Sequence, residues 1–249
     1  MPQAPGFRLD GRIALVTGAG RGIGAAIAAA FAAAGARVVV NDRDAAAADR
    51  TAAEIEGEAH HGDVGDEPTV DSLFDGIRAR YGRIDILVNN AGTTRDETIF
   101  DTTLASWNEV LRVNLTSAFL CCRRAMEMMR AQHGGRILLL GSVTGHQGAL
   151  LGHVHYAASK AGLHGVAKTL ARTGAPLGIT VNAIAPGIVE TELLAATHGP
   201  AGVAALAKLV PLGLGAPDDI AGLAAYLASD AARHVTGAVF DINGGMYMR

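Results

Sequence analysis

Two cysteines are too few, and too closely placed, to brace this chain. Cys121 and Cys122 are adjacent in a helical-looking segment, where a mutual disulfide is geometrically disfavoured. They read as small buried apolar residues of a protein kept in a reducing, cytoplasmic environment. An excess of either charge is also missing, with 21 Lys and Arg against 24 Asp and Glu. That balance offers no broad basic face to nucleic acid and no acidic tail, so a small molecule or another protein is the expected partner. No apolar run reaches the roughly 18 residues of a membrane span. The nearest approach, the Ala-rich stretch from Ala25 to Ala36, suits a helix packed closely on a sheet. The opening MPQAPGFRLDGR lacks a basic start followed by an apolar run and does not resemble a secretory signal. Nine histidines occur without HExxH or comparable ligand spacing, so no metal site is expected. A Pro/Gly/Ser-rich linker is absent as well, which implies one domain, 1–249, large enough to bury its own core.

What the chain does contain is a regular alternation of short apolar runs and longer helical patterns. Strands are expected at 12–17, 36–42, 58–64, 84–90, 135–142, 178–186 and 237–242. Most are apolar without strict alternation, as befits parallel strands covered on both faces. Helices are expected near 21–34, 44–56, 66–81, 103–132, 155–173 and 217–229. The fold class is therefore α/β: a Rossmann-type doubly wound sheet of about seven parallel strands with helices on both faces. Ligands of such sheets bind beyond the carboxyl ends of the strands, which directs attention to the residues that follow each one.

After the first strand comes TGAGRGIG, Thr17 to Gly24, running directly into the Ala-rich helix. Glycines let the backbone turn tightly and approach a pyrophosphate, whose charge is attracted by the free N–H groups and dipole of the helix start. Asp42 ends the second strand, 18 residues past Gly24. A carboxylate there can accept hydrogen bonds from both hydroxyls of an adenosine ribose and repels a 2′-phosphate, which favours NAD. Arg21 in the loop and Arg43 beside the acid are two cations that keep NADP as the alternative. The helical stretch HYAASK, 155–160, puts Tyr156 and Lys160 four residues apart on one face.

The spacing of Gly18, Gly22 and Gly24, together with NNAG at 89–92, Asn114, Ser142, Tyr156, Lys160 and Pro186–Gly187 followed by Thr191, resembles the short-chain dehydrogenase/reductase family over essentially the whole chain. Within it, TRD at 94–96 and NGGMYM at 243–248 are most similar to bacterial 3-oxoacyl-carrier-protein reductases. Two arginines thought to dock the carrier protein in those enzymes align here with His133 and Leu177, and Gly174 and Pro176 should end the Lys160 helix early.

The resemblance implies an NAD(P)-dependent oxidoreductase that interconverts a ketone and a secondary alcohol. A 3-oxoacyl thioester is the leading substrate, with a polyol, sugar or other secondary alcohol as the alternative and a non-catalytic dinucleotide sensor as a third reading. Tyr156 would be the general acid/base, its phenol lowered by Lys160 and by the oxidised nicotinamide. Ser142 would orient the substrate oxygen, Lys160 hold the nicotinamide ribose, and Asn114 hold a water that links Lys160 to solvent. Cofactor contacts would come from Gly18, Arg21, Gly22, Ile23 and Gly24, from Asp42, and from Asp63 and Val64 beside the adenine. Asn90, Ala91 and Gly92, then Pro186, Gly187, Val189 and Thr191, would complete them with Tyr156 and Lys160.

The segment 188–215 resembles a substrate lid, and the helices at 103–132 and 155–173 resemble subunit contacts of a homotetramer. The segment between Ser142 and Tyr156 must border the substrate mouth, and His146, His153 or His155 is expected to line it.

Overall fold

The computed structural model describes residues 7–149 and 152–248; residues 1–6, 150–151 and 249 of the expected 1–249 domain lie outside the described residues. Seven parallel strands form one sheet in the order β3-β2-β1-β4-β5-β6-β7. These are β1 Ile13–Thr17, β2 Arg37–Asp42, β3 Glu58–His61, β4 Ile86–Asn89, β5 Gly135–Leu140, β6 Ile179–Pro186 and β7 Val239–Ile242. The seven-stranded, doubly wound architecture is the expected one.

Alternation survives inside these apolar strands even though both faces are covered. In β1, Ile13 and Leu15 enter one core, while Ala14 and Val16 enter the other. The first core is closed by α3 Glu67–Tyr81, α5 Ser117–Ala131 and α7 Val154–Gly174; the second by α1 Gly22–Ala33, α2 Ala45–Glu54 and α9 Pro217–Ala228. α1 is rich in alanine, which favours the helix and lets it lie against the equally small α9 residues Ala221, Ala224 and Ala228. Among the described residues, no helix is long and apolar enough to cross a membrane.

Three elements differ from expectation. The single helix expected at 103–132 is α4 Leu104–Leu111, a five-residue π-helical segment Arg112–Thr116, and then α5. A π-turn carries one residue too many for the α-helical ladder, and such bulges recur at functional sites because they re-aim a side chain. The side chain at its centre here is Asn114. The short α6 Thr144–Gln147 follows β5 directly and has no apolar periodicity by which to find it. Finally, α7 does not stop early: it runs to Gly174, Pro176 falls in the following 3-10 turn, and Gly178 (φ 72°) makes the reversal into β6.

The sheet reverses direction of winding between β1 and β4, whose neighbours β2 and β5 lie on opposite sides. Their carboxyl ends therefore open a crevice at the switch point. Every candidate residue lies at or near that edge.

Candidate active site

The glycines after β1 are explained by what a side chain would strike. A Cβ on Gly18 would stand 2.7 Å from the Ala91 Cα, and one on Gly24 would stand 2.3 Å from the Gly18 carbonyl oxygen. Gly22 is different: it has φ +57° and its nearest neighbour is Thr191 Cγ2 at 3.7 Å, so the open face of the loop is there. Arg21, the residue before α1, provides no side-chain cap, which leaves the first N–H groups of that helix to an external anion. A cradle that glycine alone can line, opening onto an uncapped helix start, fits the pyrophosphate of a dinucleotide. Ile23, half-buried, follows on the first helical turn.

Thr17 ties this loop to the strand beside it. Its hydroxyl accepts from the backbone N–H groups of Asn90 (3.1 Å) and Ala91 (3.2 Å), while the Asn90 amide donates to the carbonyls of Thr17 and Gly18. Asn90 thus works as a brace for the loop, Ala91 faces Gly18 across it, and Gly92 lies beside Asn114 and Lys160. Asp42 acts similarly on the other side. One carboxylate oxygen accepts the Gly20 N–H and the other accepts the Asp44 N–H, each at 3.0 Å. Arg21, a candidate phosphate ligand, is ion-paired with Asp44 instead.

Asp63 accepts from Gly65 N–H (2.8 Å) and pairs with Arg112 (2.7 Å), which also grips Glu109. Burial works to raise its pKa, but the Arg112 and Gly65 hydrogen bonds prevail and hold the carboxyl below its ordinary value. Val64 is 3% exposed and packs into the core on the α3 side, so any part it plays with the adenine is through its backbone. At the far side of the crevice, the Pro186 carbonyl accepts Val143 N–H and Gly187 N–H donates to Ile242. Val189 bridges to Gly215, and Thr191 caps α8 Glu192–Ala207 through the Leu194 N–H. The segment 188–215 is therefore closed at its base, with Glu190 N–H on the Gly215 carbonyl and Gly215 N–H on that of Ile188.

Ser142, Tyr156, Lys160 and Asn114 come together at the centre of this edge. Lys160 is 5% exposed and donates to the Leu140 carbonyl at 2.7 Å, and its Nζ lies 5.5 Å from the Tyr156 ring centre. Burial lowers its pKa to about 8. The Ser142 hydroxyl donates to Thr144 Oγ1 (3.0 Å) and accepts the Thr144 N–H (3.1 Å). Burial raises the Tyr156 phenol above its ordinary value, and the Ser142 hydroxyl opposes this. The expected lowering of that phenol by Lys160 is thus not seen in the free protein. Burial of the phenol outweighs the Ser142 hydrogen bond, and the ammonium is directed at the Leu140 carbonyl.

The Asn114 amide is fully engaged. It accepts Thr93 N–H (2.7 Å), donates to the Thr93 carbonyl (2.9 Å) and donates to Ser159 Oγ (3.0 Å), and Ser159 in turn donates to the Tyr156 carbonyl. Thr17, Thr93, Leu140, Thr144 and Ser159 are parts of the site that motif reading passed over. All five act through or upon backbone groups, which leave no mark in the residue pattern, and Ser159 stands unremarked inside HYAASK.

The histidines do not line a common mouth. His155 is fully buried and faces Glu97. His146 stacks on Tyr247 (ring centres 5.4 Å apart) and lies 3.0 Å from Asp241. His153, with φ 54°, contacts Thr94. Among the described residues, no group of three or more His, Cys, Asp or Glu side chains could hold a metal ion.

A family model described as enoyl-(acyl carrier protein) reductase matches residues 18–247. The chain is 43% identical over 245 residues to the 3-oxoacyl-acyl-carrier-protein reductase FabG of Escherichia coli, covering 97% of this chain and 100% of that one. It is 46% identical over 246 residues to a D-threitol dehydrogenase of Mycolicibacterium smegmatis, covering 96% and 94%. A short-chain type dehydrogenase/reductase from Mycobacterium marinum superposes with a TM-score of 0.91 at 35% identity over 98% of both chains. A dinucleotide cradle at the switch point, a tyrosine–lysine pair beside it and full-length similarity converge on one conclusion: the chain belongs to the short-chain dehydrogenase/reductase family and is an oxidoreductase that uses a nicotinamide dinucleotide.

Proposed function

We propose that the protein reduces a 3-oxoacyl thioester to the 3-hydroxyacyl thioester, with Tyr156 as proton donor and NADH preferred over NADPH. The observation that carries the chemistry is the juxtaposition of a protonated, half-buried Tyr156 with Ser142 and with Lys160 at 5.5 Å. When bound, the nicotinamide supplies the hydride. Ser142 and Tyr156 hold the substrate oxygen, and the phenol gives up its proton as charge develops there. Two oxygen-directed donors suit a carbonyl and not a carbon–carbon double bond. Lys160 would hold the cofactor ribose, and its charge, 5.5 Å from the Tyr156 ring centre, would stabilise the phenolate.

The cofactor preference rests on Asp42, which the backbone N–H groups of Gly20 and Asp44 fix in place. A carboxylate so held cannot swing away from a 2′-phosphate, and Arg21 is already paired with Asp44. A second substrate reading, oxidation of a polyol, is favoured by this same acid and by the His133–Leu177 surface. There the Gly178 Cβ position lies 2.8 Å from the His133 carbonyl, so the two turns adjoin and neither offers an arginine. The test is a panel of acetoacetyl-coenzyme A, a carrier-protein thioester and threitol, each with both cofactors. Threitol oxidation exceeding all thioester reduction would replace the first substrate reading with the second.

We also propose a homotetramer in the cytoplasm. Ile99, Phe100 and Leu104, 63%, 95% and 74% exposed, and Phe119 on α5 are large apolar side chains that a second copy would cover. The free buried thiols Cys121 and Cys122 are in keeping with a reducing compartment.

A further inference from the structure

The start of α7 lacks an ordinary cap, and its repair involves a residue next to the catalytic tyrosine. His153 occupies the cap position in a left-handed conformation and provides no side-chain hydrogen bond to the helix. The first N–H groups of a helix need acceptors from outside its own ladder. The N–H of Tyr156 finds one in the imidazole of His155, whose Nδ1 accepts it at 2.8 Å. An accepting Nδ1 carries no proton, so in the neutral ring the hydrogen is on Nε2.

That Nε2 faces the Glu97 carboxylate at 3.4 Å, an electrostatic contact more than an aligned hydrogen bond. His155 is wholly buried, and Glu97 is itself held in place. The Ser106 hydroxyl donates to its Oε2, the His153 N–H donates to its backbone carbonyl at 2.9 Å, and its own N–H donates to the Arg95 carbonyl at 3.1 Å. Gly152 (φ +58°) is required beside it, because a Cβ there would stand 2.5 Å from the Glu97 carbonyl oxygen. The loop carrying Glu97 is anchored at its beginning by Asn114, through both backbone groups of Thr93. One loop thus fixes Asn114 at one end and the Tyr156 helix start at the other.

We propose that His155 is a positioning residue for Tyr156, oriented by Glu97: it fixes the tyrosine backbone and the ring tautomer that does so, without touching substrate. The inference needs only the reaction class of the family and holds for either substrate. A shift of about 1 Å in a reacting group is enough to cost roughly 100-fold in rate.

The test compares His155→Leu, His155→Asn and Glu97→Ala in the full-length enzyme, using whichever thioester or polyol the wild type turns over. His155→Leu removes the acceptor, whereas the Asn side-chain oxygen can replace Nδ1. The expected result is a kcat reduced by about 10-fold to 100-fold in His155→Leu with the dissociation constant of NADH unchanged, and recovery of most of it in His155→Asn. Glu97→Ala is expected to lower kcat in the same sense, with losses that do not add in the Glu97→Ala/His155→Leu double variant.

A readout free of turnover is amide hydrogen exchange of Tyr156 in the unliganded protein, which should accelerate in His155→Leu and be restored in His155→Asn. Nitrogen-15 shifts of His155 should report a bare Nδ1 and a protonated Nε2. A His155→Leu enzyme with wild-type kcat and wild-type Tyr156 exchange would overturn the proposal. Equal loss in the Leu and Asn variants, or a protonated Nδ1, would do so too, and both exchange and tautomer are readable even if no substrate is found.

Discussion

Lys160 stands beneath Tyr156, its Nζ 5.5 Å from the ring centre, yet donates its hydrogen bond to the Leu140 carbonyl. In the proposed reaction this arrangement suits proton donation: burial keeps the phenol neutral, and the nearby ammonium would stabilise the phenolate once it forms.

This arrangement sets a pH dependence. Lys160 loses its proton at about 8, while the phenol keeps its own to above 10, the ordinary tyrosine value. For ketone reduction, kcat/KM of the free enzyme should be level through neutrality and fall above about pH 8, as the cation that stabilises the phenolate disappears. A profile level to beyond about pH 10 would show that Lys160 charge is not needed.

The same residue affects stability. Its folded-state pKa, about 8, is below the ordinary 10.5, so between those values the unfolded chain binds more protons than the folded one. The burial penalty is fully present below the lower value and is relieved as pH rises toward the upper. The melting temperature of the wild type should therefore rise relative to Lys160→Met between about pH 7.5 and 9.5, a window below the onset of tyrosine ionisation. Parallel melting curves across that window would contradict the lowered pKa.

Asp42→Ala should reverse or abolish cofactor preference. It removes the ribose acceptor together with the acceptor for Gly20 and Asp44 N–H, so the NADH dissociation constant should rise by about 10-fold or more, the worth of a lost charge-assisted hydrogen bond, while that of NADPH changes less or falls. Isothermal titration with both cofactors measures this directly. An unchanged ratio of the two constants would remove the argument for NAD.

Gly24→Ala should be far more damaging than Gly76→Ala. The first would force a Cβ to within 2.3 Å of the Gly18 carbonyl oxygen and 2.5 Å of Asn90 Nδ2, whereas nothing lies within 4 Å of a Cβ on Gly76. The loop must open, at a cost of about 1–3 kcal/mol and of cofactor binding, whereas the exposed helical site should gain from alanine. Comparing melting temperatures with and without NADH separates the two effects.

The repeating strands and helices are legible because most strands are apolar on both faces and most helices are bounded by turn residues. The loop 18–24 and the grouping of Ser142, Tyr156 and Lys160 are legible because the proposed chemistry needs particular residue types at fixed places. Asn114 was found as a residue, but the π-turn that aims it was hidden, since Leu104 to Ala131 reads as one helical pattern. The role of Thr17 was similarly hidden: a threonine at a strand end does not reveal that two N–H groups from another strand end on its hydroxyl. His155, one of three candidates for the mouth, is instead fully buried; adjacency to Tyr156 says nothing of which side of a helix start is buried. Only packing decides that.

The central claim is that Tyr156 transfers the proton. Its most direct test is the turnover of Tyr156→Phe for acetoacetyl-coenzyme A reduction, or for threitol oxidation if that is the reaction the wild type performs, measured beside the dissociation constant of NADH. The account predicts a loss of at least about 100-fold in kcat, the scale of general acid–base catalysis, with cofactor affinity retained. Turnover equal to the wild type would contradict it.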